Sequence, residues 1–359
     1  MISSFEIRNF KRKCLNPFFL LSYFIFLIKK FIYRIKSKNP KLFFYPYKLQ
    51  KLCSFKQPSI IYNFEFINLL NGEITIPGEK IKFKNDDLWD YNFKDQEKYF
   101  SIHRFNWLLT DYINDSCRGN KLIRSWLYNK INNKNGLHMY PYTVGERISN
   151  MCLFYLYNSE TLLNAECNKV LEEDIKSVIT DMAIYLSNNL EYKGGGRTGN
   201  HIINNSRALL FAGVFTSNAR LINIATYILK NELPDLINDK GFLREGSSHY
   251  QFVFTRWLLE IALLYDLTLN IKMSEYLKFY IKKSLQSCCY FIVYNKDFNE
   301  IDIPLIGDIS PDFKVQWLIF LPWSKYALSF YRPNYLLEKE TSISGWPLLI
   351  DVIFDKIKK

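Results

Sequence analysis

A succession of apolar stretches at helical spacing between residues 101 and 295 most constrains what this chain can fold into. Leu221, Ile224, Ala225 and Ile228 give one example, and short Gly, Asn, Asp or Pro signals separate the stretches. Besides the helix around residue 224, the pattern predicts helices over residues 101–114, 119–130, 144–157, 171–190, 201–216, 247–267 and 272–294. Helices joined by short loops pack as antiparallel hairpins, in a solenoid or an α/α toroid, and periodicity does not choose between the two.

The flanks of this helical region carry different patterns. Residues 40–100 hold Pro, Gly and a short alternating piece at 73–77, which indicates loops and a small β-hairpin. After Pro304 the helical periodicity weakens, and the chain continues as a short mixed tail. We therefore predict an N-terminal basic and aromatic helix with a linker over residues 1–60, a helical body over 61–325 and a C-terminal tail over 326–359.

Charge and composition limit the classes of molecule that this chain could bind. The 359 residues are 48% hydrophobic, enough to bury a sizeable core, and 47 Lys plus Arg against 35 Asp plus Glu give a net charge of +12. Such a charge favours polyanions, of which nucleic acid, anionic lipid and acidic glycan are the main classes. Apart from a cluster at residues 29–38 the basic residues are scattered, without a recognition helix or an RNA-binding aromatic motif, so no nucleic acid is expected.

The N-terminal segment resembles only part of a signal peptide. Basic residues at 8–13 precede an apolar run over 14–28, but lysines follow instead of small residues at a cleavage site. The run is also shorter than the roughly 18 residues that a membrane span needs. We expect an uncleaved helix, with residues 14–38 either contacting a membrane surface or docking on the main body. The expected location is cytoplasmic or at the inner-membrane surface, with the periplasm as the alternative.

The cysteines indicate neither a disulfide framework nor a metal site. The seven cysteines form an odd set with no CxxC pair and no histidine at zinc-finger spacing. Reduced, buried thiols are therefore expected. No cofactor and no metal are predicted.

The most conspicuous polar stretch runs from residue 193 to 201 and formally contains GxGxxG. Residues 175–190 before it read as helix rather than strand, and no P-loop lysine follows, so both nucleotide-binding interpretations fail. What remains is a loop that delivers Asn200 and His201 to a helix N-terminus, with Asn205 one turn along the same face. Helix-start amides and a side-chain amide make a carboxylate-binding corner. The alternative is that Asn200 merely caps the helix and His201 is a satisfied, partly buried histidine.

A second polar stretch over residues 239–251 enters the next long helix. Its polar or ionisable side chains include Arg244, Glu245, Ser247, His249 and Tyr250. A tyrosine near Arg197, Arg207 or Arg244 would have its pKa lowered, as a phenolate base requires. The alternative is that Ser247 is an N-cap and Tyr250 an aromatic side chain on the helix face.

These stretches and others resemble the N-terminal toroid of the heparinase II/III-like (alginate lyase-like) polysaccharide lyases. Order and spacing agree over most of residues 60–320, through the phrases at 64–68, 88–92, 140–147, 199–205, 239–250 and 307–312. The resemblance implies a mainly α fold, an incomplete α/α toroid of antiparallel helical hairpins, preceded by a small irregular or β-hairpin segment.

The resemblance also implies a chemistry. The family cleaves uronic-acid polysaccharides by β-elimination: a carboxylate is neutralised, the C5 proton is removed, and the C4 oxygen leaves with a proton. By resemblance Asn200, alone or with His201, would neutralise the carboxylate. Tyr250 would shuttle the proton as base, acid or both. The residues expected to bind substrate are Trp89, Tyr142, Arg147, Arg197, Asn205, Arg244, Glu245 and His249.

Three departures from the family accompany the resemblance. Family members usually carry a β-sandwich with a further histidine and often a metal site, and we expect this chain to lack it or to receive it from a separate chain. Gln251 stands where the family often has histidine, while His249 precedes Tyr250. Phe93 and Lys94 follow Asn92 in place of another frequent histidine.

Three functions follow as hypotheses. The leading one is a lyase acting on an acidic bacterial polysaccharide, such as a capsule or exopolysaccharide. Its rival is a non-catalytic protein that binds glycan or assembles surface polysaccharide on the same toroid. A hydrolase, the third, would need two carboxylic acids about 5–10 Å apart across the cleft, and Glu245 with Asp308 is the candidate pair.

Overall fold

The fold is taken from a computed structural model. It describes residues 24–25, 27–28, 31, 71–76, 79–91, 93–111, 115–130, 136–158, 172–192, 198–291, 293–295 and 300–309. The helices within this part of the chain are α1 (Gln96–Arg104), α2 (Asn106–Thr110), α3 (Ser116–Lys130), α4 (Pro141–Tyr157), α5 (Glu172–Asn188), α6 (His201–Phe215), α7 (Ala219–Leu236), α8 (Ser248–Leu267) and α9 (Ile271–Cys289). Short 3-10 helices lie at Asn85–Asp90 and Leu137–Met139.

Successive helices pair as hairpins around α6. Short connections join α6 to α7 and α8 to α9, so each pair packs antiparallel, and α4, α5 and α8 also pack on α6. Nearly every α6 side chain from Ile202 to Val214 is buried, as expected of a helix enclosed on all sides. Asn218 and Asn270 cap α7 and α9 through side-chain oxygens that accept backbone N–H groups. The predicted mainly α fold, an incomplete α/α toroid of antiparallel hairpins, is confirmed.

The predicted β-hairpin is also present. Strands β1 (Asn71–Ile76) and β2 (Glu79–Lys84) pair antiparallel, with Ile74 opposite Ile81. Ile74, Ile76, Ile81 and Phe83 are buried while their neighbours in β2 are exposed, because alternate residues of a strand face opposite sides. The hairpin therefore packs one apolar face on α1 and α2.

Two helix predictions need correction. The helix expected over 101–114 begins earlier, at Gln96, where Asp95 accepts the N–H of Glu97, and it breaks at Phe105, which has a left-handed φ of 65°. The fully buried Phe105 ring packs against Trp107 and Trp126, with centroids 5.1 and 5.5 Å away, so core packing favours the break. The helix expected over 272–294 ends at Cys289, and an unpredicted strand pair follows, β3 (Val293–Asn295) and β4 (Glu300–Asp302).

The cysteine prediction is partly wrong. Cys152 and Cys288 are free and buried, as expected. Cys117, however, is disulfide-bonded. Spacing alone does not specify disulfide pairing, which is why the sequence did not indicate it.

The N-terminal prediction is covered only in part. Phe24, Ile25, Leu27, Ile28 and Phe31 are helical and exposed, while the rest of residues 14–38 lies outside the described residues. No helix in the described ranges is long and apolar enough to cross a membrane. The domain boundaries expected after residues 60 and 325 also fall outside those ranges.

Candidate functional site

The N-termini of α6 and α8 meet through one carboxylate. The backbone N–H of Asn200 donates to Oε1 of Glu245 at 2.9 Å, and its side-chain Nδ2 donates to Oε2 at 2.7 Å. Gly199 makes this approach possible, since a Cβ there would lie 2.5 Å from Oε1 of Glu245. The two polar stretches singled out in the sequence therefore form one structure.

Asn200 lies at the N-cap position of α6 but makes no side-chain capping bond, so the first half of that alternative is wrong. The second half is confirmed, since His201 is partly buried and has a hydrogen-bond partner. The buried carboxamide of Asn200 instead uses one of its two amide hydrogens on Glu245, which leaves the second hydrogen for another acceptor. Arg244 adds a second link, because its guanidinium donates to the backbone carbonyls of Asp235 and Thr198. The loop before α6 is thus tied to the turn before α8 by both Glu245 and Arg244.

His201 is held by a carboxylate that the sequence analysis did not single out. Its Nδ1 lies 2.9 Å from Oε1 of Glu191, and its side chain is 30% exposed against 8% for Glu191. Asn205, fully buried, donates Nδ2 to the other Glu191 oxygen and accepts the Glu191 backbone N–H, both at 2.9 Å. Asn205 therefore supports Glu191, which corrects the expectation that it binds substrate directly.

Tyr142 connects His201 to a cation. The Tyr142 ring packs beside the His201 imidazole, with centroids 4.6 Å apart, and the Arg104 guanidinium lies 5.0 Å from the ring centroid. Arg104 is itself nearly buried and pairs with Glu97 at 3.0 Å. A guanidinium on an aromatic face is a favourable cation–π arrangement. Arg104 is thus a charged residue of the site that lies outside every sequence motif.

Tyr250 lies among carboxylates, which corrects the expectation of a lowered pKa. Burial, Asp308 and Glu245 raise the pKa of Tyr250 to about 12, and Arg104 opposes them only in part. The phenol is therefore protonated at neutral pH. Two of the arginines expected to lower the pKa of Tyr250 make other contacts, since Arg207 is buried in an ion cluster and Arg244 binds backbone carbonyls. Arg197 lies outside the described residues.

Contacts and charge effects together link these residues. Asn200 binds Glu245, and the charges of Glu245 and Arg104 act in opposite directions on the pKa of Tyr250. Arg104 in turn lies against Tyr142, which packs on His201, the residue next to Asn200. The predicted residues that the structure brings together are Asn200, His201, Tyr142, Arg244, Glu245 and Tyr250.

Trp89 and Arg147 are buried and do not lie among these residues, which corrects the expectation that they bind substrate. Trp89 is buried and donates its indole N–H to Ser125 Oγ at 2.6 Å. Arg147 is fully buried, donates to the carbonyls of His103 and His138, and lies over the Trp126 ring. Burial lowers the pKa of Arg147 to about 9. Both side chains support the core.

Gln251 and His249, the two neighbours of Tyr250 in the sequence, are both buried. Gln251 is buried and accepts the Leu243 N–H at 2.7 Å, while its Nε2 donates to the Gly241 carbonyl and to Ser284 Oγ. Gln251 therefore anchors the turn that precedes α8 onto the helix α9. His249 is buried with its ring edge-to-face to Tyr250. Ser247 is the N-cap of α8, as one alternative predicted, since its Oγ accepts the Tyr250 N–H at 3.0 Å.

A buried ion cluster underlies the site. Arg207 and Arg256 bind the carboxylates of Glu146 and Glu260, with Arg207 to Glu146 at 3.1 Å and Arg256 to Glu260 at 2.8 Å. Arg207 also donates to Asn204, whose amide donates to the Tyr142 carbonyl at 3.2 Å. The cluster therefore joins α4, α6 and α8 beneath Tyr142.

Glu245 and Asp308, the pair expected of a hydrolase, both act on the Tyr250 phenol. Both oxygens of Glu245 already accept hydrogen bonds from Asn200, which favours a supporting role for this carboxylate. The separation required of a hydrolase pair stays a prediction. Among the described residues no group of three or more His, Cys, Asp or Glu side chains could hold a metal ion.

Comparison with known proteins gives structural neighbours only. No family model and no curated protein matches the sequence. A heparinase III structure is 16% identical with a TM-score of 0.48, over 68% of this chain and 39% of that one. Two structures of a heparinase III gene product, one with methylated lysines, are 15% identical with TM-scores of 0.45, over 72% and 68% of this chain and 42% and 41% of theirs. This chain thus spans about two fifths of each neighbour.

Proposed function

We propose that the chain binds an acidic polysaccharide at this site and cleaves it by β-elimination beside a uronic acid. The observation that supports the proposal best is the set of groups gathered near the meeting helix N-termini: an amide, an imidazole and a guanidinium linked through contacts, and a protonated phenol whose pKa responds to Glu245 and Arg104. β-Elimination needs these kinds of group: donors for the carboxylate, a base for C5–H and an acid for the leaving oxygen.

The site suits a sugar chain as well as a charge. Tyr140 is exposed and stacks on Phe100 with ring centroids 5.6 Å apart, which provides an aromatic surface for a pyranose face. Three of the carboxylates nearby are engaged, Glu97 with Arg104, Glu245 with Asn200 and Glu191 with His201, while Asp308 is exposed. These three therefore oppose a polyanion less than free carboxylates would, in a chain of net charge +12.

The amide, the guanidinium and the phenol have the following roles in the proposal. The remaining amide hydrogen of Asn200 and the charge of Arg104 stabilise the substrate carboxylate, so that the C5 proton becomes more acidic. Tyr250 donates its phenolic proton to the C4 oxygen as the C4–O bond breaks. Its raised pKa favours this acid role over a phenolate base, because the proton is present at neutral pH.

Ultraviolet absorbance tests the proposal, because β-elimination creates a double bond conjugated to the carboxylate. The protein is mixed with a panel of uronate-containing polymers, and Tyr250→Phe serves as the control that keeps the ring and removes the proton. We expect absorbance to rise with at least one polymer and the variant to lose most of that rate, about 100-fold or more. No rise with any polymer would contradict catalysis and support the rival, a glycan-binding protein.

The pH dependence separates the two roles of Tyr250. If the phenol is the acid, the tyrosine contributes no increase in rate with pH, since it stays protonated well below about 12. If its phenolate were the base, the rate would rise about tenfold per pH unit throughout that range. The rate is measured from about pH 8, where an ordinary histidine is already neutral, up to the ordinary tyrosine pKa of about 10. A tenfold rise per unit within this interval would overturn the acid assignment.

A further inference from the structure

Glu191 is a nearly buried carboxylate beside His201 that has no role in the reaction described above. Its side chain is 8% exposed and accepts hydrogen bonds from His201 Nδ1 and Asn205 Nδ2, each at 2.9 Å. Burial and the nearby Glu191 carboxylate also raise the pKa of the Tyr140 phenol. A carboxylate so enclosed has one orientation, and its partners are oriented with it.

Glu191, Asn205 and His201 form a relay whose hydrogen-bond directions are all determined. The N–H of Glu191 can only donate, so the Asn205 atom that faces it must be Oδ1, and the Asn205 NH₂ must face Glu191 Oε2. The carboxylate can only accept, so the His201 Nδ1 that faces it must carry hydrogen. The neutral imidazole is therefore held with its lone pair on Nε2.

We propose that Glu191 is a positioning residue that fixes His201 with Nε2 as the atom that removes the C5 proton. This inference rests on the proposed β-elimination. Tyr142 packs against the imidazole at 4.6 Å, while 30% of the His201 side chain stays exposed for a substrate. Asn205 is the second positioning residue, acting through Glu191.

The proton and electron balance is complete with two protein groups. Nε2 of His201 takes the C5 proton, and the C5–H electron pair forms the C4–C5 double bond. The C4–O bond breaks, and the departing oxygen takes the Tyr250 proton. The resulting imidazolium and phenolate return to the starting state by one net proton transfer from His201 to Tyr250 through water.

Glu191→Gln tests the relay, because the hydrogen-bond directions predict which nitrogen of His201 then carries the hydrogen. The N–H of residue 191 still fixes the Asn205 amide, so the new side chain must present its oxygen to Asn205 and its NH₂ to His201. Nδ1 then becomes an acceptor, and the hydrogen moves to Nε2. Adding Asn205→Asp supplies an acceptor at that position, so the glutamine turns its oxygen back to His201. The single change is expected to invert the tautomer and the double change to restore it.

Long-range ¹H–¹⁵N NMR of the imidazole reads the tautomer directly. The full chain has four histidines, and His201→Asn identifies the signals of His201. Glu275→Gln, the same change at an exposed ion pair on α9, is the matched control. A wild-type spectrum with hydrogen on Nε2, or a tautomer unchanged in Glu191→Gln, would overturn the inference.

Kinetics then test the catalytic part on a polymer that the wild type cleaves. We expect Glu191→Gln to lower kcat about 10- to 100-fold with little change in KM, and Asn205→Asp to recover much of it. A simple structural defect would instead make the double variant worse than either single change. If the wild type cleaves no polymer, the proposed function and the base role both fail. The NMR result still decides whether the relay exists.

Discussion

At the scale of single residues, the site depends on how closely Gly199 approaches Glu245. Gly199→Ala would set a methyl group 2.5 Å from Oε1, so the flexible Glu245 side chain must move and lose its two bonds to Asn200. We expect a loss of about 1–2 kcal/mol in the free energy of unfolding, because Glu245 is exposed and its hydrogen bonds are partly replaced by water. Urea denaturation measures it.

Making Gly199→Ala in a protein that already carries Glu245→Ala isolates this contact. There the added methyl group meets no carboxylate, and Gly199 has no left-handed φ, so alanine is expected to be neutral or stabilising by up to about 1 kcal/mol. The sign of the effect should therefore reverse between the two backgrounds. An equal loss in both would mean that Glu245 is not what excludes a side chain at position 199.

Sequence patterns found some of these residues because they occur in recognisable phrases. Asn200 and His201 follow a glycine-rich loop, and Tyr250 follows a polar turn. Glu191 and Arg104 lie in no such phrase and join the site only when α1 and the loop before α6 fold against α4. The direction of the Tyr250 pKa shift was predicted wrongly for a related reason, since sequence does not show which arginines are already paired.

At the scale of elements, the turn before α8 is fastened to α9 by Gln251. Gln251→Ala would remove partners from the Leu243 N–H and the Gly241 carbonyl in a buried position. Each unsatisfied buried group costs about 1–3 kcal/mol, so for the two groups we expect a loss of about 2–6 kcal/mol in unfolding free energy. Hydrogen exchange at the Leu243 N–H should accelerate as well.

Gln286→Ala on α9 is the matched control for this prediction, because Gln286 is only partly buried. We expect it to change stability by less than about 0.5 kcal/mol and to leave exchange at Leu243 unchanged. Similar effects of the two substitutions would contradict a fastening role for Gln251.

Helical periodicity predicted most elements because the apolar face that each helix buries repeats every turn. It did not predict the break at Phe105, which is favoured by contact with Trp126 from α3 as well as with the nearby Trp107. Nor did it distinguish the end of α9 from β3, because a short apolar run suits either structure. Local patterns thus located the helices, and tertiary contacts determined where they stop.

At the scale of the whole molecule, three helices share one buried set of charges. Burial disfavours the Arg207 charge, but Glu260 and Glu146 outweigh it and raise the pKa of Arg207. The cluster balances two guanidiniums with two carboxylates, so it is neutral as a unit while each member depends on the others. Such a cluster favours one arrangement of α4, α6 and α8, and with it the position of Tyr142 beside His201.

Arg207→Met tests this dependence. Removing one guanidinium leaves Glu146 and Glu260 buried with Arg256 alone, and a broken buried pair costs about 3–5 kcal/mol in unfolding free energy. Adding Glu260→Met should recover most of that loss, because the remaining Arg256 and Glu146 again balance. The exposed pair of Glu275 and Lys278 on α9 gives the comparison, and Glu275→Gln should cost less than about 1 kcal/mol. If urea denaturation found Arg207→Met as mild as Glu275→Gln, the cluster could not be what fixes the three helices, and the hydrophobic contacts of α6 would have to hold Tyr142 in place unaided.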